Sequence, residues 1–303
     1  MERDVLVVGE SLVDIVNAAD GETKEYAGGS AANVAVALAR LGRPVRFATS
    51  FADDDHGHLV AEHLSSAGVT LASDPGAVSR TSTAEATIGV DGAADYEFDL
   101  EWRLNPVESD PDPLVVHTCS LGAVLSPGAD DVVALLERLR EVATISYDVN
   151  ARPAITGTGP DLIDRVERMA GIADLVKASD EDLEAIYPQL DQVKAARRLL
   201  SLGPEAVVVT RGSEGALWVG PDHVVEVDSH TVEVADTIGA GDTFGAALLD
   251  ALWEAGFLGA DRREALSELV REQIEAILFH ASRAAAVTVS RPGADPPYRH
   301  ELA

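Results

Sequence analysis

The chain has 303 residues, 46% hydrophobic and 25% charged, enough for one large α/β domain or two smaller ones with a sizeable core. A formal net charge of −29, with no local basic patch, argues against nucleic-acid and anionic-membrane partners. The single cysteine, Cys119, excludes a disulfide framework and a cysteine-based zinc site; following an apolar run, it reads as a buried inert thiol.

The N-terminal "MERDVLVVGES" has no long apolar core and is not a signal peptide. No later stretch approaches the ~20 apolar residues of a membrane span, so a soluble cytoplasmic protein is expected. "VLVVG" at 5–9 is a short continuous apolar run, the pattern of a strand buried on both faces. "SAANVAVALARLG" at 30–42 is alanine-rich and stops at glycine, as a helix does. A strand, "VRFATS", and a helix, "HGHLVAEHLSSAG", follow. "TSTAEATIGVDGAADYEFDLE" then alternates apolar and polar residues about a central Asp-Gly, which predicts a β-hairpin in a smaller sheet beside the main one. The α/β rhythm resumes with strands at 114–118, 143–149, 173–179 and 206–210, separated by the helical runs "ADDVVALLERLREV", "PDLIDRVERMAG" and "QVKAARRLLSLG". "GALWVG" and "HVVEV" predict an antiparallel pair near the sheet edge, and two long helices, about 240–255 and 261–286, close the chain. Alternating strands and helices predict one doubly wound α/β domain over 1–303, with ligands beyond the carboxyl ends of the strands.

Two loops carry candidate chemistry. In "DTIGAGDTFGAALLDAL", 236–252, Gly239, Ala240 and Gly241 lead into Asp242 at the mouth of a helix. A helix N-terminus offers free N–H groups and partial positive charge, and glycines let an anion approach the backbone. The stretch can hold a phosphate beside a carboxylate that takes a proton from an attacking hydroxyl. Taken alone, it can equally be an ordinary first turn containing an acid. "YAGGSAANVAVALARLG", 26–42, repeats the pattern: Gly28 and Gly29 precede a helix whose first turn holds Asn33. That neutral amide suits a polyol, or is a plain polar residue at a helix start.

Together and in this order, "GGSAANVAVALARLG" and "DTIGAGDTFGAALL" resemble the two signatures of the ribokinase-like (PfkB-type) carbohydrate kinases, and the elements between them match over nearly the whole chain. The resemblance implies a ribokinase-like fold: a doubly wound, mostly parallel sheet with helices on both faces, plus a small β-sheet lid from about 11–28 and 81–105. It implies transfer of the γ-phosphate of ATP to a sugar hydroxyl, helped by Mg²⁺. Asp242 would be the catalytic base, and Gly239, Ala240 and Gly241 the anion hole. Asp14, Gly28, Gly29 and Asn33 would line the sugar pocket. In "DVNARP", Asn150 would contact substrate, and Arg152 substrate or the transferring phosphate, with a surface ion pair as its alternative.

Lys177, Thr210, Arg211, Gly212, Gly215 and Ser282 would face the nucleotide, although a strand-end lysine is often simply exposed. The family's Asn-x-x-Glu, which organises water around Mg²⁺, is altered here: Ser179 replaces the Asn and Asp182 the Glu. Asp182 therefore stands between a metal role and helix-start capping. Asp236, with carbonyls near Thr288, Arg291 and Gly293, matches the monovalent-cation site of some relatives, which would take K⁺. Relatives often dimerise through the lid, so the resemblance also implies a homodimer.

"GESLVDI" and "DYEFDLEWRL" resemble the fructokinase branch. Phe98 and Trp102 would cover the apolar face of a sugar, or form lid core or dimer contacts. The expected reaction is D-fructose to fructose 6-phosphate; ketodeoxygluconate, ribose, another hexose or a nucleoside are the alternative acceptors. A non-catalytic sugar or nucleotide sensor is the alternative of another class. The intact Gly-Ala-Gly-Asp argues against it, and the Ser179/Asp182 departure argues for it. A dinucleotide-dependent dehydrogenase lacks its Gly-x-Gly-x-x-Gly after the first strand.

Overall fold

The computed structural model describes residues 3–18, 21–88 and 94–302. Strand β1 (Val5–Val8) buries all its side chains, as an apolar run in a two-sided sheet requires. Strands β2 (Leu12–Asn17) and β3 (Thr23–Gly28) leave that layer and pair antiparallel. Helix α1 (Ser30–Arg40), β4 (Val45–Ala48), α2 (Asp55–Ser66) and the short β5 (Thr70–Leu71) return to it. β6 (Thr83–Ile88) and β7 (Ala94–Asp99) form the predicted antiparallel pair, while the Asp91-Gly92 turn lies outside the described residues. Strand–helix units follow: β8 (Val115–Cys119), α3 (Ser120–Val124), α4 (Gly128–Leu139), β9 (Thr144–Asp148), α5 (Pro153–Thr156), α6 (Pro160–Ile172), β10 (Leu175–Ser179), α7 (Asp180–Ile186), α8 (Gln192–Leu200) and β11 (Ala206–Thr210). β12 (Ala216–Val219), β13 (Val224–Val227), α9 (Ala240–Glu254) and α10 (Arg271–Val289) complete the order.

The large sheet runs β13-β12-β11-β10-β9-β8-β1-β4-β5. It is parallel from β11 to β5, with β12 and β13 antiparallel at one edge as predicted. Successive strand residues divide between two core layers: Val5 and Val7 join residues of α1, α9 and α10, while Leu6 and Val8 join residues of α4, α6 and α8. Helices therefore cover both faces. The strand order reverses at β1: β4 and β5 lie on one side of it, β8 and later strands on the other. That is the switch point at which an open α/β sheet leaves a crevice beyond its carboxyl ends. The smaller sheet, β3-β2-β6-β7, borders this crevice, with β2 and β6 parallel.

The last helix departs from expectation. Residues 260–262 and 264–266 form short 3₁₀ turns, and α10 begins only at Arg271. The buried Leu266 and Leu269 hold the turns against the core, and Gln273 Oε1 accepts from Val270 N at 3.0 Å, which sets the helix start. Among the described residues, no helix is long and apolar enough to cross a membrane.

Candidate active site

A cleft of about 1650 Å³ opens at the switch point. Glu10, Ser120, Asn150, Ser179 and Thr210, at or just past the ends of β1, β8, β9, β10 and β11, line its floor. Asp14, Tyr26, Ala84, Tyr96 and Phe98 of the small sheet line the facing wall, and Tyr96 stacks on Phe98 at 6.1 Å. Thr210, Arg211 and Gly212 extend the floor, and segments 236–239 and 292–295 form the far end.

The start of α9 lies in this cleft. Gly239 is its N-cap at φ +73°, and a Cβ there would stand 2.7 Å from Ala294 Cβ, so both backbone and space demand glycine. No side chain caps the helix; Ala240 N donates to Thr237 O at 3.3 Å, so of the expected Gly239-Ala240-Gly241 hole the Ala240 amide is taken, while the amides of Gly241 and Asp242 stay open at the positive end of the helix. Asp242 sits in that turn, 6% exposed. Its Oδ1 accepts from Ser30 Oγ at 2.7 Å and Asn150 Nδ2 at 3.3 Å, and its Oδ2 accepts from Asn33 Nδ2 at 2.8 Å. All three donors are neutral, so they orient the carboxylate without cancelling its charge. The two glycine-led stretches, far apart in sequence, thus meet at one carboxylate.

Asp14 belongs to β2 and lies against Gly28, where a Cβ would come within 2.3 Å of its Oδ2. Burial raises the Asp14 pKa to about 6, with Arg152 pulling the other way. Glu10, deeper in the cleft, accepts from Gly122 N at 2.6 Å. Burial pushes its pKa to about 7; backbone amides and Arg152 oppose the rise and Asp242 adds to it. Arg152 is exposed on the cleft wall, and its Nη1 donates to Asn150 Oδ1 at 2.6 Å. Its partner is thus an amide within the site, which displaces the surface ion-pair alternative.

Lys177 is buried behind the α9 start. Its Nζ pairs with Asp148 Oδ2 at 2.7 Å, and a Cβ on Gly241 would sit 3.7 Å from Nζ. Burial works against the ammonium, but Asp148, then Asp182 and Asp242, hold its pKa above the ordinary lysine value. It is not the exposed strand-end lysine of the alternative reading. It places a charge beneath the open amides, without lining the cleft itself.

Several expected residues lie elsewhere or are committed elsewhere. Trp102 is core: it is 3% exposed, its Nε1 donates to Gly122 O at 3.1 Å, its ring packs on Gly128, and it does not line the cleft. Gly215 faces away from the cleft, because a Cβ there would strike Val227 O, and it serves the turn into β12. Ser282 is buried in α10 and does not line the cleft. Arg211 lines the cleft but is ion-paired with Glu226. Asp182 Oδ2 accepts from Ser179 N and its Oδ1 from Ala151 N, each at 2.7 Å, which completes a capping box with Ser179. Asp236 ties two loops: Oδ1 accepts from Ile238 N at 3.0 Å and Oδ2 from Gly293 N at 2.8 Å. Among the described residues, no group of three or more His, Cys, Asp or Glu is arranged to hold a metal ion.

Sequence reasoning left Ser30 and Asp148 without roles. The serine of Gly-Gly-Ser and the aspartate of Asp-x-Asn were visible, but only the fold brings Ser30 to Asp242, and Asp148 to Lys177.

This two-sheet architecture is the ribokinase-like fold. A fructokinase from Xylella fastidiosa, solved with bound ATP, matches it with a TM-score of 0.86 at 24% identity, covering 99% of this chain and 98% of that one. Residues 2–301 match the pfkB family carbohydrate kinase model, and the chain belongs to that family. A fructokinase from Rhizobium leguminosarum bv. trifolii is 36% identical over 260 residues, 82% of this chain and 79% of that protein. A fructokinase from Vibrio cholerae O395, solved with fructose, ADP and calcium ion, is 26% identical with a TM-score of 0.77, covering 96% of this chain and 94% of that one. A double mutant of the Vibrio protein was solved with fructose, ADP and potassium ion.

Proposed function

We propose that this carbohydrate kinase transfers the γ-phosphate of ATP to D-fructose, giving fructose 6-phosphate and ADP. The observation that carries the reading is Asp242, held by side-chain donors at an uncapped helix N-terminus inside a two-walled cleft. Its carboxylate takes the proton of the sugar hydroxyl as that oxygen bonds to the γ-phosphorus. The bond from phosphorus to the β–γ bridging oxygen breaks, and the electron pair leaves with ADP. The open amides at Gly241 and Asp242, with Lys177 beneath them, meet the charge that develops on the transferring group.

In this reading Asp14, Asn33 and Asn150, which line the cleft, bond sugar hydroxyls, and Phe98 with Tyr96 covers an apolar sugar face. Arg152, near enough to Asp14 to lower its pKa and bonded to Asn150, suits a phosphate oxygen through its planar fork. The nucleotide lies along Thr210, Gly212 and the far-end loops. Fructose is favoured over other acceptors by the fructokinase relatives and by a pocket whose ionisable groups are mostly acidic, which suits an uncharged sugar.

Mg²⁺, when present, neutralises phosphate charge. Asp182 accepts backbone N–H bonds on both oxygens, so the reading gives the ion to the nucleotide phosphates rather than to this carboxylate. Asp236 lies at the far end of the cleft, and comparing turnover in K⁺ and Na⁺ tests a monovalent-cation requirement there. The small sheet is read as a lid, and also as the surface for a homodimer. Sugar should slow hydrogen exchange in β6 and β7, and sedimentation reads the assembly.

The deciding assay is ADP release with Mg-ATP against fructose, ribose, ketodeoxygluconate, glucose, tagatose and adenosine. Fructose should give the highest kcat/KM. A different sugar far ahead of it would replace the substrate, and silence across the panel with ATP bound would favour a sensor.

A further inference from the structure

The Ser30 hydroxyl stands at a junction of polar atoms. Asp242 Oδ1 and Asn150 Nδ2 are each 2.7 Å from its oxygen, and Cys119 Sγ is 3.1 Å away. The chemistry of the neighbours fixes where the single hydroxyl hydrogen goes. Arg152 can only donate, and its Nη1 lies 2.6 Å from Asn150 Oδ1. The Asn150 amide oxygen therefore faces Arg152, and its NH₂ faces Ser30 and donates to it. The contact with Cys119 would draw on the same hydroxyl hydrogen, with sulfur as its acceptor, and a thiol sulfur is a weak acceptor beside a carboxylate. Ser30 thus receives the hydrogen bond of Asn150, and its own hydrogen goes to the stronger of its two acceptors, the carboxylate of Asp242. The bonds run in one direction, from Arg152 through Asn150 and Ser30 to Asp242.

The middle of this chain is held in place by the backbone. Asn150 has φ +35°, an unusual conformation for a residue other than glycine. Asp182 Oδ1 accepts from Ala151 N at 2.7 Å on one side of it, and Val149 N donates to Lys177 O at 2.8 Å on the other. The capping box of α7 therefore secures the loop that presents Asn150. With Asn33 on Oδ2 and Ser30 on Oδ1, the carboxylate is fixed at both ends.

We propose that Ser30 is a positioning residue for the catalytic base, fixing one oxygen of Asp242 and linking its orientation, through Asn150, to Arg152. The proposal rests on the reading of Asp242 as the base that accepts the sugar proton. Ser30 makes no claim on the proton itself, because a carboxylate is a far stronger base than a hydroxyl that already accepts from Asn150; its effect is on the angle at which the base meets the sugar hydroxyl.

The test uses Ser30→Ala, Asp242→Asn and the double variant, each assayed with fructose and Mg-ATP and followed by thermal melting. Alanine removes only the hydroxyl and suits a helix. Ser30→Ala should lose roughly 10- to 100-fold in kcat, the size of a hydrogen bond to a charged group, while both KM values stay within about threefold. In the Asp242→Asn background, by single turnover, the same change should cost less than about twofold, because there is no carboxylate left to place. An unchanged kcat in Ser30→Ala overturns the proposal. So does an equal loss in both backgrounds, which marks a merely structural role. Near-normal turnover of Asp242→Asn overturns the base assignment itself, and is told apart because it needs no change at Ser30.

Discussion

At the start of α7, Ser179 Oγ accepts from Asp182 N at 3.0 Å, and Asp182 returns both oxygens to backbone amides. At the start of α9, the cap is a glycine with no side chain to offer, and Asp242 takes its hydrogen bonds from Ser30, Asn33 and Asn150. Both turns reach the cleft, and both carry an acid in the first turn. The first has closed its own amides and used its carboxylate on the backbone. The second leaves its amides open and holds its carboxylate with side chains from two other segments. An acid near a helix start is therefore not a site by itself; what matters is whether the cap leaves the helix end unsatisfied.

The strongest way to break this contrast is Asp242→Asn, which should lower kcat by roughly 10²- to 10⁴-fold while sugar and ATP still bind, as calorimetry would show. Next is Gly239→Val, which forces a branched residue to φ +73° against Ala294. If the open amides serve the transferring phosphate, kcat should drop by about 10²- to 10³-fold, more than any loss in melting temperature explains.

Glu10 sharpens the contrast, since it bonds a backbone amide yet lines the cleft. Burial raises its pKa from 4.5 to about 7, so the fold favours the protonated form, and stability falls as pH rises through that window. Glu10→Gln keeps an acceptor for Gly122 N and should be more stable than the parent at pH 8 by about 3 kcal/mol, with little difference at pH 4.5. Urea unfolding at the two values checks the sign; a larger gain at low pH would reverse it. The smallest effect belongs to α7. Asp182→Ala should cost about 2 kcal/mol by freeing Ser179 N and Ala151 N, and leave the Mg²⁺ dependence of turnover in place. A large rise in the Mg²⁺ requirement would restore the metal role.

The sheet layers were legible because buried strands and alanine-rich helices announce themselves by period, as "VLVVG" and "SAANVAVALARLG" do. The very short elements, such as β5 and α5, hold too few residues to show one. The antiparallel edge and the second sheet followed from alternation. Within the cleft, local chemistry marked the glycine-led turns as candidates but left an ordinary helix start open; the resemblance chose between the two, and only the fold brings both turns to Asp242. Trp102 stood open between a sugar-covering and a core role because an aromatic beside a hairpin reads alike in both; its burial and its contact with Gly128 assign it to the core beneath α4. Ser179-x-x-Asp182 did carry a capping-box signal, with metal chemistry as the competing reading. Lys177 depended on a contact between neighbouring strands, and Ser30 on a contact between α1 and α9, that no local pattern encodes.

The most direct measurement is a crystal structure with ADP, fructose and aluminium fluoride, a mimic of the phosphoryl group in flight. The expected result places the fluoride ligands within hydrogen-bonding distance of the Gly241 and Asp242 amides, with the fructose C6 hydroxyl against the Asp242 carboxylate. Fluoride seated at the α7 start beside Asp182, or fructose turned away from Asp242, would contradict it.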